Sequence, residues 1–366
     1  MLFSPESLGN INVTNRFVVA PMTRVSANSE GTPNNEMQDY YTEYAVGGFG
    51  LIITEGTYID EQNSQGYKNQ PGIANQSHIR GWQKIVNAVH NQNVPIIQQL
   101  LHAGALIQEN KYVKQAVAPS PVQPLGEMAS RYIGSGKFSI PKELKKGEIK
   151  QVINSYGEAA SRSVEAGFDG IEIHGANGYL PDQFLTTYTN QRSDEYGGSI
   201  ENRVRFHCQI VQEVRKRIGA KVTLGIRISQ TKINDFEYEW PGKIKDAEVI
   251  FSNISKAGAD YIHISTHKGL VDVFDSGRNL ASFAKEFSGI KVIGCGGLHD
   301  HEKANKIIND GDADFIAVAK GALADPSLPK KFKSGIHPLD FDPGMISPVA
   351  TIKNTRQWVL NNLLHI

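Results

Sequence analysis

Residues 166–185 read A-G-F-D-G-I-E-I-H-G-A-N-G-Y-L-P-D-Q-F-L. The Ala166-Gly167 pair marks a helix stop, because glycine reaches the left-handed backbone that ends a helix. Asp169 then precedes a short strand, Gly170–Ile173, in which Ile and Glu alternate. The strand breaks at Gly175 into a polar turn. His174, Asn177 and Tyr179 put an imidazole, an amide and a phenol within six residues of a strand end. The same punctuation recurs at Ala257-Gly-Ala-Asp260 and within Asp310-Gly-Asp-Ala-Asp314. Helix, glycine, acid and strand therefore form the repeated unit of a larger array.

Outward from that unit, eight short apolar runs punctuate the chain: Phe17–Ala20, Leu51–Thr54, Pro95–Leu100, Gly170–Ile173, Val222–Ile228, Tyr261–Ile264, Lys291–Ile293 and Phe315–Val318. Most are separated by helical patterns, and strands alternating with helices imply parallel βα units. Eight such units imply an α/β fold, the (β/α)8 TIM barrel, which 366 residues are enough to build. In Ser77–Asn93 one face carries Ile79, Trp82, Ile85, Val86 and Val89. In Ser199–Ile218 it carries Ile200, Val204, Val211, Val214 and Ile218. Ser199 is the expected N-cap, with Glu201 favourable in the first turn.

Two regions depart from the repeat. Within Met1–Arg16, the run Leu8–Thr14 reads as a hairpin turning near Gly9-Asn10, placed to close the N-terminal face of a barrel. The excursion 103–146 after strand three is too long for an ordinary βα loop and holds prolines 119, 121, 124 and 141. It is expected to have its own small structure and to form part of a lid. The tail, 335–366, is loop-rich and ends in an expected helix near Thr355–Leu364. None of these reads as a separate domain, so one barrel over residues 1–366 is expected.

Lys and Arg number 38 against 38 Asp and Glu, so no charge excess attracts nucleic acid or an anionic membrane surface. No apolar run approaches the ~20 residues that span a bilayer. The N-terminus shows no basic segment followed by an apolar one, and a cytoplasmic protein is expected. Cys208 and Cys295 stand far apart, which argues against a disulfide framework, a zinc site or an iron–sulfur cluster. His299-Asp-His-Glu302 has metal-like spacing but reads as a solvated helix start after strand seven, so no metal is expected.

In a barrel of this kind chemistry sits at the C-terminal ends of the strands. Those ends carry Pro21-Met22-Thr23-Arg24, Glu55-Gly56-Thr57, Gln98-Gln99-Leu100-Leu101-His102, His174 with its turn, Arg227-Ile228-Ser229, Ser265-Thr266-His267, Cys295-Gly296-Gly297 and Ala319-Lys320-Gly321. A glycine pair at strand seven beside a lysine at strand eight suits a phosphate. Uncharged donors and acceptors at strands one and three suit a polar planar head. These residue types leave FMN and a sugar phosphate equally open.

Five motifs decide between them: Ala20-Pro-Met-Thr23, Gln99-Leu-Leu-His-Ala-Gly104, His174-Gly-Ala-Asn-Gly-Tyr-Leu180, the run N-Q-R-S-D-E-Y-G-G-S-I-E-N-R from Asn190 to Arg203, and Arg227 in G-I-R-I-S. In this order, over roughly residues 3–335, the chain resembles the old yellow enzyme family of NADH:flavin oxidoreductases, the FMN-dependent ene reductases. The resemblance implies that Thr23 bonds the flavin C4 carbonyl, Gln99 the pyrimidine edge, and that Arg227 sits near N1 and the C2 carbonyl. Pro21, Met22 and Gly56 complete the flavin surface, and Gly296, Gly297, Ala319 and Lys320 would hold the phosphate. His174 and Asn177 would grip the substrate's carbonyl or nitro oxygen, and Tyr179 would donate the proton. NADPH or NADH would reduce the flavin, which returns hydride from N5 to the β-carbon of an activated alkene. The Asn190–Arg203 run, by its own chemistry, orders its loop and caps the next helix.

Departures from the family pattern are informative. Ala319-Lys320 replaces the usual Gly-Arg, and a lysine lacks the guanidinium fork. Leu101 stands where an aromatic is common, which implies a reshaped substrate pocket. The extra four-cysteine domain of larger relatives is lacking, so electrons are expected directly from the nicotinamide. Two competing readings are a flavin-free barrel aldolase or isomerase and a flavin-binding protein without turnover. The first requires a Schiff-base lysine or paired carboxylates, for which only Lys320 and Glu55 stand at strand ends. The second implies damage at His174, Asn177 or Tyr179, all of which are intact. Phe236, Tyr238 and Trp240 in the 231–241 loop fit pocket lining and core packing equally well.

Overall fold

The structure is a computed structural model that describes residues 1–363. Strands β1 (Glu6–Leu8) and β2 (Ile11–Val13) form the antiparallel hairpin expected around Gly9-Asn10. Then follow β3 (Phe17–Val19), β4 (Leu51–Ile53), the short β5 (Thr57–Tyr58), β6 (Ile96–Leu101), the short pair β7 (Val117–Ala118) and β8 (Lys142–Glu143), β9 (Gly170–His174), β10 (Thr223–Ile228), β11 (Tyr261–Ile264), β12 (Lys291–Cys295) and β13 (Phe315–Val318). Eight parallel strands close the barrel in the order β3-β4-β6-β9-β10-β11-β12-β13, and β13 pairs back to β3. The eight apolar runs are these eight strands.

Helices α1 (Asn35–Gly47), α2 (Gln76–His90), α3 (Lys146–Glu165), the short α4 (Leu180–Leu185), α5 (Ile200–Ile218), α6 (Ile244–Ala257), α7 (Leu280–Ser288) and α8 (His301–Asn309) lie between the strands. After β13 come α9 (Lys320–Ala324), α10 (Leu328–Lys333) and α11 (Ile352–Leu363). The apolar faces read for α2 and α5 are buried against the strands, apart from the partly exposed Ile218. Ser199 accepts the Asn202 N–H as N-cap of α5. Strand ends differ from the apolar runs by up to two residues, and two helix ends differ by more. Helix α2 stops at His90, and Asn93 adopts a left-handed backbone (φ 58°), which asparagine tolerates. Helix α11 begins at Ile352 because the Thr351 hydroxyl accepts the Asn354 N–H (3.1 Å); Leu364 lies outside the described residues.

The acidic residues of the repeat act as clamps. Asp169 accepts the Ile96 N–H, Asp260 the Leu224 N–H and Asp314 the Val292 N–H, each at 2.8 Å. Each carboxylate thus satisfies a donor in the first two residues of the strand of the preceding βα unit. Asp260→Ala is expected to destabilise the barrel by about 1–3 kcal/mol in urea unfolding, since the Leu224 N–H loses its acceptor and Arg215 loses its charged one.

Alternation along the strands divides the barrel interior in two. The lower half is apolar, with Val18, Leu51, Ile97, Tyr261, Ile293 and Phe315 packed on Leu8, Ile11 and Val13 of the hairpin. The hairpin therefore closes the N-terminal face. The upper half is polar: Gln99 pairs in register with Glu172, and Arg227 lies between His174 and His263. Gly225 is required here, since a Cβ would lie 2.0 Å from the Tyr261 ring. The 103–146 excursion folds into 3-10 turns at Gly104–Leu106 and Ser130–Tyr132 and the β7–β8 pair. Arg192 pins it by donating to Pro119 O (2.9 Å) and Leu144 O (2.7 Å). Among the described residues no helix is long and apolar enough to cross a membrane.

Candidate active site

A cavity of about 470 Å³ opens at the C-terminal ends of the barrel strands. Pro21, Met22, Thr23, Gly56, Gln99, His174, Asn177, Tyr179, Arg227, Ala319 and Lys320 all line it. Gly296 and Gly297 do not; they follow β12, where Gly296 O accepts the Gly269 N–H (2.8 Å).

His174 ends β9 and is 4% exposed. Burial, aided by the nearby Arg227 and His263, holds its pKa well below the usual histidine range. The ring is therefore neutral near pH 7. Its Nδ1 accepts the Ala176 N–H (3.4 Å), so the remaining proton sits on Nε2. Asn177 stands in left-handed backbone (φ 63°). Its Oδ1 accepts the Ser265 hydroxyl (3.0 Å), which leaves the Nδ2 protons to donate. Tyr179 caps α4 with its ring edge toward His174, centroids 4.8 Å apart. Burial raises its phenol pKa, so the proton stays on at neutral pH.

Tyr67 was not legible in the sequence. It sits in the loop between β5 and α2, where neither periodicity nor a motif marks it. Its hydroxyl bonds the Tyr179 hydroxyl, and its ring packs edge-on against Tyr132 of the excursion at 5.1 Å. Glu172 was missed too, although the alternation Gly170-Ile-Glu-Ile-His174 puts it on the same face as His174. Its carboxylate accepts Gln99 Nε2 (2.7 Å), His263 Nδ1 (2.9 Å) and the Tyr261 hydroxyl (3.1 Å). Burial alone would raise its pKa; His263, Arg227 and these hydrogen bonds outweigh it, and the group is held below the usual carboxylate range.

Other residues of the cavity fit a flavin. The buried Arg227 Nε has no hydrogen-bond partner among the described residues, and its guanidinium meets only Cys295 Sγ at 3.8 Å. A desolvated cation with a free N–H favours an acceptor that carries negative charge. Thr23 and Gln99 add uncharged polar groups, and Lys320 stands exposed at the far end with Nζ 5.5 Å from the Phe341 ring. At Gly56 a Cβ would lie 2.5 Å from Leu101 Cδ1 and 3.5 Å from Gln99 Oε1, so only glycine leaves this wall open.

The 231–241 aromatics divide. Phe236 lines the cavity, Trp240 is core against Phe251 and Phe274, and the Tyr238 hydroxyl accepts the Thr187 N–H (3.2 Å). Glu55, the carboxylate the aldolase reading needs, is not on the cavity wall. It accepts the Arg24 N–H (2.9 Å) and the Tyr41 hydroxyl (3.3 Å), with burial pushing its pKa to about 7. Asp300 caps α8, and among the described residues no group of His, Cys, Asp and Glu is placed to hold a metal.

The model of the NADH:flavin oxidoreductase / NADH oxidase family matches residues 1–338. The NADH oxidase of Thermoanaerobacter brockii is 34% identical over 347 residues, 91% of this chain but 51% of that protein, so the chain spans about half its length. A protein of Leishmania infantum named "Probable flavin mononucleotide-dependent alkene reductase" is 34% identical, covering 92% of this chain and 91% of its own. Morphinone reductase in complex with tetrahydroNAD superimposes with a TM-score of 0.83 at 32% identity, covering 94% of this chain and 93% of that one. The barrel, the buried Arg227 cation in its cavity and these matches agree: the chain belongs to the NADH:flavin oxidoreductase / NADH oxidase family, the old yellow enzymes, which use FMN and NAD(P)H.

Proposed function

We propose that this protein is an ene reductase that reduces alkenes conjugated to a carbonyl or nitro group. The observation that carries the reading is the donor set: His174 Nε2–H, Asn177 Nδ2–H and a protonated Tyr179 line one cavity, with Arg227 beside His174. FMN held by Arg227, Thr23, Gln99 and Lys320 would supply the hydride-transfer chemistry between NAD(P)H and the alkene β-carbon. His174 and Asn177 donate to the substrate oxygen and stabilise the negative charge that builds there. Tyr179 supplies the proton to the α-carbon. Arg227, Thr23 and Gln99 would orient the isoalloxazine, and Lys320 would hold the phosphate. The whole chain works as one FMN-binding barrel, with 103–146 as lid; Gln108, Glu127, Tyr132 and Phe138 bring that segment to the cavity wall.

The test is the visible spectrum of the purified protein under anaerobic conditions. Flavin bands that bleach with NADPH or NADH and return with cyclohexenone support the reading. Absence of flavin after reconstitution with FMN rules it out, and bleaching that no activated alkene reverses leaves a flavin protein with another acceptor. His174→Ala is expected to weaken binding of a phenol by about 10–100-fold, the worth of a hydrogen bond to a charged oxygen, while FMN stays bound. Titration of the flavin spectrum with the phenol checks it, and unchanged affinity removes His174 from the role.

A further inference from the structure

Two full charges lie where neither meets water. Lys232 Nζ stands 2.6 Å from Asp182 Oδ1, with side chains 1% and 0% exposed. The pair joins two loops of the site. Asp182 lies in α4, and its other oxygen accepts the N–H of Gly178 at 2.6 Å, the residue between Asn177 and Tyr179. Lys232 belongs to the loop after β10, which carries Phe236 to the cavity wall.

Further bonds fasten that loop to the turn. Ser229 Oγ accepts the Asn177 N–H (2.8 Å) and donates to Thr231 O (2.7 Å), and Ile233 N–H donates to Asn177 O (3.3 Å). On its outer side the Lys232 ammonium sits 4.7 Å from the centre of the Tyr238 ring. Asn177 and Gly178 both hold left-handed backbone, φ 63° and 85°. The Asn177 amide and the Tyr179 phenol therefore point where this fastened turn aims them. A neutral amide at 182 could serve Gly178 without a buried charge, and burying two charges gives little stability over an apolar pair. What the carboxylate does that no apolar pair can is bridge turn and loop with its two oxygens.

We propose that Asp182 and Lys232 are positioning residues: their ion pair latches the 229–238 loop to the 175–179 turn and sets the geometry of Asn177 and Tyr179. The proposal rests on the ene-reductase reading for its kinetic consequence. It is tested with two charge-free double variants. Asp182→Asn/Lys232→Met keeps an acceptor for Gly178, whereas Asp182→Leu/Lys232→Met removes it. Per bound FMN, the Asn variant, which lacks the bridge to Lys232 but keeps an acceptor for Gly178, is expected to lose about 10–100-fold in cyclohexenone reduction and in affinity for 4-hydroxybenzaldehyde relative to the unaltered enzyme, and the Leu variant at least as much, as small misplacements of reacting groups do. An Asn variant equal to the unaltered enzyme in both, whatever its melting temperature, overturns the proposal.

Hydrogen exchange on the unaltered protein gives a second, folding-independent reading. Amides of 175–185 and 229–239 are expected to slow together when the phenol binds; if only one segment responds, the latch is refuted. Should the unaltered enzyme bleach with NAD(P)H yet leave cyclohexenone untouched, the ene-reductase reading fails, while hydrogen exchange still decides the latch.

Discussion

Tyr179→Phe is expected to slow enone reduction by about 10²–10⁴-fold, the usual contribution of a positioned general acid. NAD(P)H oxidation by a quinone should stay nearly unchanged. The difference lies in where the proton goes. A quinone takes its protons on oxygen, which water supplies quickly, whereas an enone must be protonated on carbon. Because burial raises the Tyr179 pKa, the phenol stays protonated well above neutral pH, and the rate of the alkene step should show no loss from this group between pH 6 and 9. The nearest substitute proton is on Tyr67, bonded behind Tyr179. Stopped-flow reoxidation of the reduced flavin by cyclohexenone and by a quinone measures both arms; parallel losses would remove Tyr179 from the role.

Glu172→Leu is the substitution expected to cost the fold most, about 3–5 kcal/mol, as when one partner of a buried charged pair is removed. The carboxylate is wholly buried, and three donors lose their acceptor at once. The pH dependence has a definite sign. The folded-state pKa of Glu172 lies below its ordinary value of 4.5, so the unfolded chain takes up this proton first. Its stabilising contribution is complete above the ordinary value and is lost as pH falls through the lower, folded one. Urea midpoints for the native protein should therefore fall at acid pH, and those of the variant should fall less. Identical pH profiles would show that Glu172 is not the group responsible.

Much of this was legible in the sequence because local chemistry dictated it. The glycine–acid pairs before strands have a local reason to exist, since each acid must clamp a neighbouring strand. The His174–Tyr179 turn was legible because its three functional groups lie close together in sequence. The support of that turn was not. Tyr67, Lys232 and Ser265 come from three loops, and no periodicity marks a loop residue for a distant partner. Of the residues expected at a phosphate, Ala319 and Lys320 line the cavity, whereas Gly296 and Gly297 follow β12 without lining it, and the Gly296 carbonyl accepts from Gly269. The exchange of Gly-Arg for Ala-Lys was visible in the chain; the Phe341 ring beside Lys320 was visible only in three dimensions.

The cavity wall also has a history written in it. Phe341, Ile346 and Ala350 line it, yet all three lie beyond residue 338, where the family's shared pattern stops. A single backbone bond, Ala350 N–H to Arg131 O (2.8 Å), ties this stretch to the excursion after β6. His174 ends a barrel strand, and Asn177 and Tyr179 follow it in the next turn, whereas this part of the rim comes from the segment after the last barrel strand. Exchange of residues 340–351 is therefore expected to change which molecules the cavity admits while the residues at the strand ends keep their places.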